Sequence, residues 1–150
     1  MPTPTTPTTV YVYCMGSIAG PGFLNGLTAS NSVDLISNAN GGQVSGTVWI
    51  MAPASNNTYS FQCQGTDAGN QYLSGDPTHQ AVELAQTHGG STTEWILASV
   101  AASNPQLYTI QLADTSDGKL YINGYTVDGK LNLAADPTLS GAHWLVLQSV

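Results

Sequence analysis

The sequence predicts an all-β fold made of three tandem copies of one unit, and three observations lead to it. All three tryptophans open the same motif, Trp49-Ile50-Met51, Trp95-Ile96-Leu97 and Trp144-Leu145-Val146, each with a serine four places upstream (Ser45, Ser91, Ser140). Two other series recur every 49 residues: Phe23-Leu24-Asn25-Gly26 with Tyr72-Leu73-Ser74-Gly75 and Tyr121-Ile122-Asn123-Gly124, and Val33-Asp34-Leu35 with Val82-Glu83-Leu84 and Leu131-Asn132-Leu133. No segment offers a helical period. Short alternating runs are separated by turn clusters such as Ser55-Asn56-Asn57 and Asp114-Thr115-Ser116-Asp117-Gly118. Self-similarity at a fixed spacing is the sequence signature of a repeat architecture.

Each unit reads as four short strands. The first is Tyr11-Val12-Tyr13-Cys14-Met15, matched by Tyr59-Ser60-Phe61-Gln62-Cys63 and Tyr108-Thr109-Ile110-Gln111-Leu112. Period-two alternation makes Tyr11, Tyr13 and Met15 inward with Tyr59, Phe61, Cys63, Tyr108, Ile110 and Leu112. Cys14 is then one step out of phase and faces the other way, which argues against a Cys14–Cys63 bond; both cysteines are expected as free thiols. The second and third strands are the two series spaced by 49. The fourth begins at each tryptophan, and Trp49, Trp95 and Trp144 are expected as core anchors because each starts an apolar strand. The first and second tryptophans are only 46 apart, so the first unit carries three extra residues, placed in the loop 38–42.

Twelve short strands in three units of about 49 residues point to a β-trefoil with pseudo-threefold symmetry. In that fold six strands close a barrel and three hairpins cap it. One unit cannot bury its own apolar face, so three are needed around a shared axis. The expected organisation is a single domain over 10–150, with repeats of about 10–57, 58–106 and 107–150. Residues 1–9, rich in Thr and Pro, are expected as a flexible arm.

Composition narrows the function. The chain has 150 residues, two Lys, no Arg, nine acidic residues and a net charge of −7. Only 7% of it is charged, against a usual ~25%. Polarity comes from 17 Thr, 16 Gly and many Ser, Asn and Gln. Lys119 and Lys130 cannot form the basic patch that phosphate backbones require, so nucleic acid is excluded as a partner. Anionic bilayers repel such a chain, and the longest apolar runs are far too short to insert into a membrane. The N-terminus lacks the basic and apolar regions of a secretory signal. A cytoplasmic protein, or one released without a classical signal, is expected.

The tryptophan series resembles the degenerate Gln-x-Trp repeat of ricin-B-like (R-type) lectins. The stretch Val82-Glu83-Leu84-Ala85-Gln86-Thr87-His88-Gly89-Gly90-Ser91-Thr92-Thr93-Glu94-Trp95 is similar to the third and fourth strands of the fungal fruiting-body members. The resemblance spans residues 11–150. It implies a carbohydrate-binding β-trefoil for galactose or N-acetylgalactosamine-type glycans, with up to three sites per chain. It also shows departures. The glutamine is replaced by Thr47, Thr93 and Ala142, and the third-strand aromatic by Ile36, Ala85 and Ala134. The second-strand aspartate corresponds to Asn25, Ser74 and Asn123, so the plant-type pair survives in no repeat.

The residues support sugar binding independently. Neutral sugars are held by carboxylate, amide and imidazole groups beside a flat or apolar contact, and no cation is needed. Alternation places Asp34 beside Ile36, Glu83 beside Ala85, and Asn132 beside Ala134 on outward faces. Flanking candidates are Asn25, Asn38 and Asn40 in the first repeat and Asp76, His79, His88 and Gly89 in the second. In the third they are Asn123, Tyr125, Asp128 and Asp136, with Tyr125 as the aromatic platform. Asp and Asn also favour turns through bonds to their own backbone, which is the competing role of Asp76 and Asp136.

No catalytic constellation, metal site or cofactor is expected. His79 and His88 have no third ligand nearby, and Asp114 with Asp117 supply too few oxygens for Ca²⁺. The expected partners are glycans, with a possible homodimer adding avidity. Two other functions compete: a β-trefoil protease inhibitor acting through the exposed loop 38–46, and a structural or storage protein with no ligand.

Overall fold

The structure is a computed structural model, and it describes residues 4–16, 22–27, 30–37, 45–65, 71–125 and 128–148. The described residues form twelve strands. The first repeat holds β1 (Thr8–Cys14), β2 (Phe23–Leu27), β3 (Ser32–Ile36) and β4 (Trp49–Pro53). The second holds β5 (Tyr59–Cys63), β6 (Gln71–Asp76), β7 (Ala81–Ala85) and β8 (Trp95–Ser99). The third holds β9 (Tyr108–Leu112), β10 (Tyr121–Tyr125), β11 (Lys130–Ala134) and β12 (Trp144–Gln148). Short 3₁₀ turns at Ser45–Thr47 and Ser140–Ala142 lead into β4 and β12.

Six strands close on themselves. β1 pairs with β4, β4 with β5, β5 with β8, β8 with β9, β9 with β12, and β12 with β1, all antiparallel. The hairpins β2–β3, β6–β7 and β10–β11 cap this barrel. This is the β-trefoil expected from the repeats. The N-terminal arm is shorter than expected, because Thr8 and Thr9 already pair with Met51 and Ile50.

Each tryptophan is fully buried at the start of its strand. Its indole N–H donates to a second-strand carbonyl of the same repeat: Trp49 to Leu24 at 3.0 Å, Trp95 to Leu73 at 3.0 Å and Trp144 to Ile122 at 3.1 Å. The ring fills the core while its one polar atom is satisfied, which is what burying a tryptophan requires.

The repeats lock together in a cycle. A Cβ on Gly26 would lie 2.6 Å from Cys63 Sγ, and one on Gly75 would lie 2.8 Å from both methyl carbons of Leu112. On Gly124 it would lie 2.8 Å from Cys14 Sγ. Each repeat thus receives a side chain from the next at a glycine that leaves the space. A second cycle joins the cap. The carbonyls of Asn31, Gln80 and Gly129, each 49 residues from the next, accept the N–H groups of Leu84, Leu133 and Leu35 at 3.0, 2.9 and 2.8 Å. All three sit at positive φ (56°, 52° and 74°) as the hairpin turns close.

Cys14 corrects one expectation. Val10, Val12 and Cys14 face the core and Tyr11 and Tyr13 face outward, so β1 is shifted one residue from the expected phase. Every residue from 10 to 15 is apolar, so alternation alone does not choose the phase. The outer packing chooses it: the Tyr13 ring meets Phe23 edge-on at 4.7 Å, and Tyr11 and Tyr13 pair with Leu147 and Leu145. Cys14 therefore occupies the place of Cys63 and Leu112. Both thiols are free and buried, and burial pushes both up from the ordinary thiol range.

Two stability predictions arise here. Replacing any one tryptophan by Ala is expected to cost ~3–5 kcal/mol in denaturant unfolding; an unchanged midpoint would contradict the core placement. Gln80→Gly is expected to stabilise by ~0.5–1 kcal/mol, because it removes a side chain from a left-handed position that Gly already occupies at 129. A lower unfolding midpoint for Gln80→Gly would show that the Gln80 side chain holds the cap.

Candidate functional site

The outward faces of the three capping hairpins bring most of the candidates together. Strand register places Asn25 opposite Asp34, Ser74 opposite Glu83, and Asn123 opposite Asn132. Asn25 and Asn123 are buried, as is Ser74, although they stand on the outer side. In the first and third repeats a 3₁₀ turn lies across the hairpin. A Cβ on Gly46 would strike Asn25 Oδ1 and the Gly26 carbonyl, and one on Gly141 would strike Asn123 Oδ1 and the Gly124 carbonyl. The second repeat solves the same contact differently: Thr92 takes the glycine's place opposite the smaller Ser74, and its carbonyl accepts the Gly75 N–H at 2.8 Å.

The buried amides act on their neighbours. Asn25 Nδ2 donates to Asp34 Oδ1 at 2.9 Å, and Asn123 Nδ2 donates to Asn132 Oδ1 at 3.0 Å. Asn25 and Asn123, expected as ligands, thus orient Asp34 and Asn132 and leave those two at the edge of the solvent. Glu83 is exposed in the second repeat. Ile36, Ala85 and Ala134 flank the three as half-buried apolar contacts.

The turn candidates divide. Asp76 Oδ1 accepts the N–H groups of Thr78 and His79, and its Oδ2 lies 2.7 Å from His79 Nδ1. These bonds, chiefly that from the His79 ring, hold the Asp76 carboxyl below the usual carboxylate range. Asp136 is lowered by the Thr138 hydroxyl and N–H, at 2.6 and 2.8 Å. Asp128 Oδ1 accepts the Lys130 N–H at 3.1 Å. All three build turns in the way Asx residues do. Asp76 and Asp128 lie at the tips of their hairpins, whereas Asp136 follows β11 and joins no hairpin face. Gly89 is exposed at φ 144° and donates its N–H to Thr93 Oγ1 at 3.1 Å. Asn38 and Asn40, with most of the loop 38–46 offered for protease inhibition, lie outside the described residues.

One outward aromatic, Tyr72, goes beyond the expected set. The Tyr72 ring stacks at a tilt on His88 with centroids 5.4 Å apart, so the second face carries an aromatic platform at its far end. Phe23 and Tyr121 stand at the equivalent positions, each pairing outward with a barrel strand. Their 49-residue spacing was the available signal. Tyr125, 48% exposed, is the open aromatic of the third face.

A separate cleft of about 500 Å³ opens between the β4–β5 turn and the loop before β8, lined by Ser55, Thr58, Ser91, Glu94 and Ile96. Glu94 Oε1 accepts the hydroxyls of Ser55 at 2.6 Å and Thr58 at 3.0 Å, and the Ser55 bond chiefly lowers the Glu94 carboxyl. Ser55 and Glu94 are 39 residues apart, and no pattern in the sequence joins them. Among the described residues no group of three or more His, Cys, Asp or Glu could hold a metal ion.

No protein-family model matches the chain, and no curated protein sequence matches it. Solved structures do. SeviL, bound to asialo-GM1 saccharide, superposes with a TM-score of 0.71 at 14% identity, over 97% of this chain and 100% of that one. ThreeFoil, a designed threefold-symmetric protein, gives 0.72 at 14% identity over 93% and 97% of the two chains. The GlcNAcα1-4Gal-releasing endo-β-galactosidase of Clostridium perfringens gives 0.74 at 12% identity, over 95% of this chain but only 33% of the enzyme. At these identities the likeness is one of fold, and the fold is the β-trefoil.

Proposed function

We propose that this protein binds glycans on the outward faces of its three capping hairpins, as a binding protein rather than an enzyme. The observation that carries this reading is the threefold recurrence of a polar group at the solvent edge beside an apolar or aromatic contact, oriented from below in the first and third repeats. Asp34 and Asn132 are held by buried amides, and Glu83 stands at the same place. Such preorganisation suits a sugar, which offers hydroxyls and one flat apolar face. The saccharide bound to SeviL and the galactoside-cleaving enzyme of Clostridium perfringens support a carbohydrate ligand for this fold. Galactose or N-acetylgalactosamine is proposed as the sugar from the ricin-B resemblance, as is kinship with the fungal lectins. Three weak sites on one body would favour clustered glycans, and a homodimer would multiply them.

The test is a glycan array with hemagglutination inhibition, run beside a protease panel. Glycan binding without protease inhibition is expected, and the reverse would overturn the reading. Glu83→Ala is expected to remove one site and leave stability within ~0.5 kcal/mol, since the side chain is exposed. Asp34→Ala and Asn132→Ala are each expected to remove one site and to cost ~1–3 kcal/mol, because each strands a buried amide. Unchanged stoichiometry in calorimetry for all three variants would move the sites elsewhere.

A further inference from the structure

The three hairpin faces share a backbone and differ in charge. The first carries Asp34, and the second carries Asp76 and Glu83. At the place of Asp34 and Glu83 the third holds Asn132, a neutral amide. Its Oδ1 is engaged by Asn123 Nδ2 at 3.0 Å, which leaves its own Nδ2 to donate. At the place of Ser32 and Ala81 the third face holds Lys130, one of only two cations in the chain. Lys130 is exposed and stands directly opposite the exposed Tyr125, two residues from Asn132 on the same side of β11. The nearest acid in sequence is Asp128, which is tied into the turn by the Lys130 N–H. Counted hairpin by hairpin, formal charge is −1 on the first (Asp34), −2 on the second (Asp76 and Glu83) and 0 on the third (Asp128 and Lys130); across the cap, the Leu35 N–H bond to the Gly129 carbonyl also brings Asp34 to the strand beside Lys130.

An ammonium donates to neutral hydroxyls as well, but it gains most from an anionic group, and one of the chain's two cations stands here, on the hairpin that carries an amide in place of the carboxylate. An anionic substituent on a sugar ring would gain a charge-assisted hydrogen bond from Lys130 and an N–H from Asn132. On the first two faces the same substituent would meet Asp34 or Glu83, and like charges at close range penalise binding. We propose that the third hairpin face is the site for an acidic sugar, bearing a carboxylate or a sulfate. Lys130 and Asn132 hold the anionic group and Tyr125 supports the ring, while the other two faces reject it. This rests on the carbohydrate reading of the three faces.

The test uses the full chain on an array of matched pairs: galactosides and N-acetylglucosaminides beside their sulfated and sialylated forms. Acidic members are expected to bind. Lys130→Gln should lower the ratio of acidic to neutral binding by about two- to fivefold, the scale of one exposed ion pair. Asn132→Asp should lower it at least as far. That variant keeps the fold, because it recreates the Asn25–Asp34 pair of the first repeat. Lys119→Gln is the control: it removes the same charge six residues before Tyr125, up to about 20 Å away along an extended chain, and should leave the ratio unchanged. The sulfated and sialylated arms show which anion the face prefers. Binding of neutral members alone, or a ratio insensitive to both Lys130→Gln and Asn132→Asp, overturns the acidic assignment and leaves the carbohydrate reading standing. Binding of no glycan at all overturns both.

Discussion

The structure depends on a cyclic contact: each repeat accepts a side chain of the next at a glycine. Cys63 enters over Gly26, Leu112 over Gly75, and Cys14 over Gly124. No repeat closes its own core, so the unit of folding is the ring of three. Two of these glycines also lie beside a tryptophan, with a Cβ on Gly26 or Gly75 only 3.3 or 3.2 Å from the indole ring. Packing of this density transmits any added methylene to its neighbours. The three indole N–H bonds, made at equivalent carbonyls, then fix each hairpin on the barrel.

That scaffold explains why the outward faces can be precise. The inward glycine of each hairpin alternates with an outward polar residue, Asn25, Ser74 or Asn123, whose depth is set by the segment lying over it. Where that segment is a glycine-bearing 3₁₀ turn, an asparagine fits beneath and reaches across to the next strand. In the second repeat Thr92 stands at the glycine's position and Ser74 at the asparagine's. Asn25 and Asn123 hold the exposed group of their faces through an amide, and Ser74 has none to offer. The faces inherit their geometry from the symmetric core and their chemistry from the few positions where the repeats differ.

Much of the architecture was legible in the sequence because the repeat spacing carried it. Two series at 49 residues, the first-strand series and the tryptophans marked all twelve strands. β1 was out of phase by one residue because residues 10–15 are uniformly apolar, and its phase is decided by contacts with Phe23 and β12. The paired positions Asn25–Asp34 and Asn123–Asn132 were both singled out, but their roles were not. Burial of the second-strand amides depends on a loop about 20 residues further on, at Gly46 and Gly141. Asp76, Asp128 and Asp136 read equally well as ligands or turn formers, and their hydrogen bonds show the turn role. The clasp on Glu94 takes Thr58 from its own repeat and Ser55 from the end of the one before, and Val48 and His143 stand where the other repeats would need the acid, so no repeat pattern could reveal it.

The central claim is that ligands meet this protein on the outer faces of the capping hairpins. The most direct measurement is amide chemical-shift mapping of the labelled protein during titration with a glycan that it binds. The account predicts shifts concentrated on the strands carrying Asp34, Glu83 and Asn132 and on the opposing Tyr72 and Tyr125. Shifts confined to the cleft around Glu94, or to the loop 38–46, would contradict it.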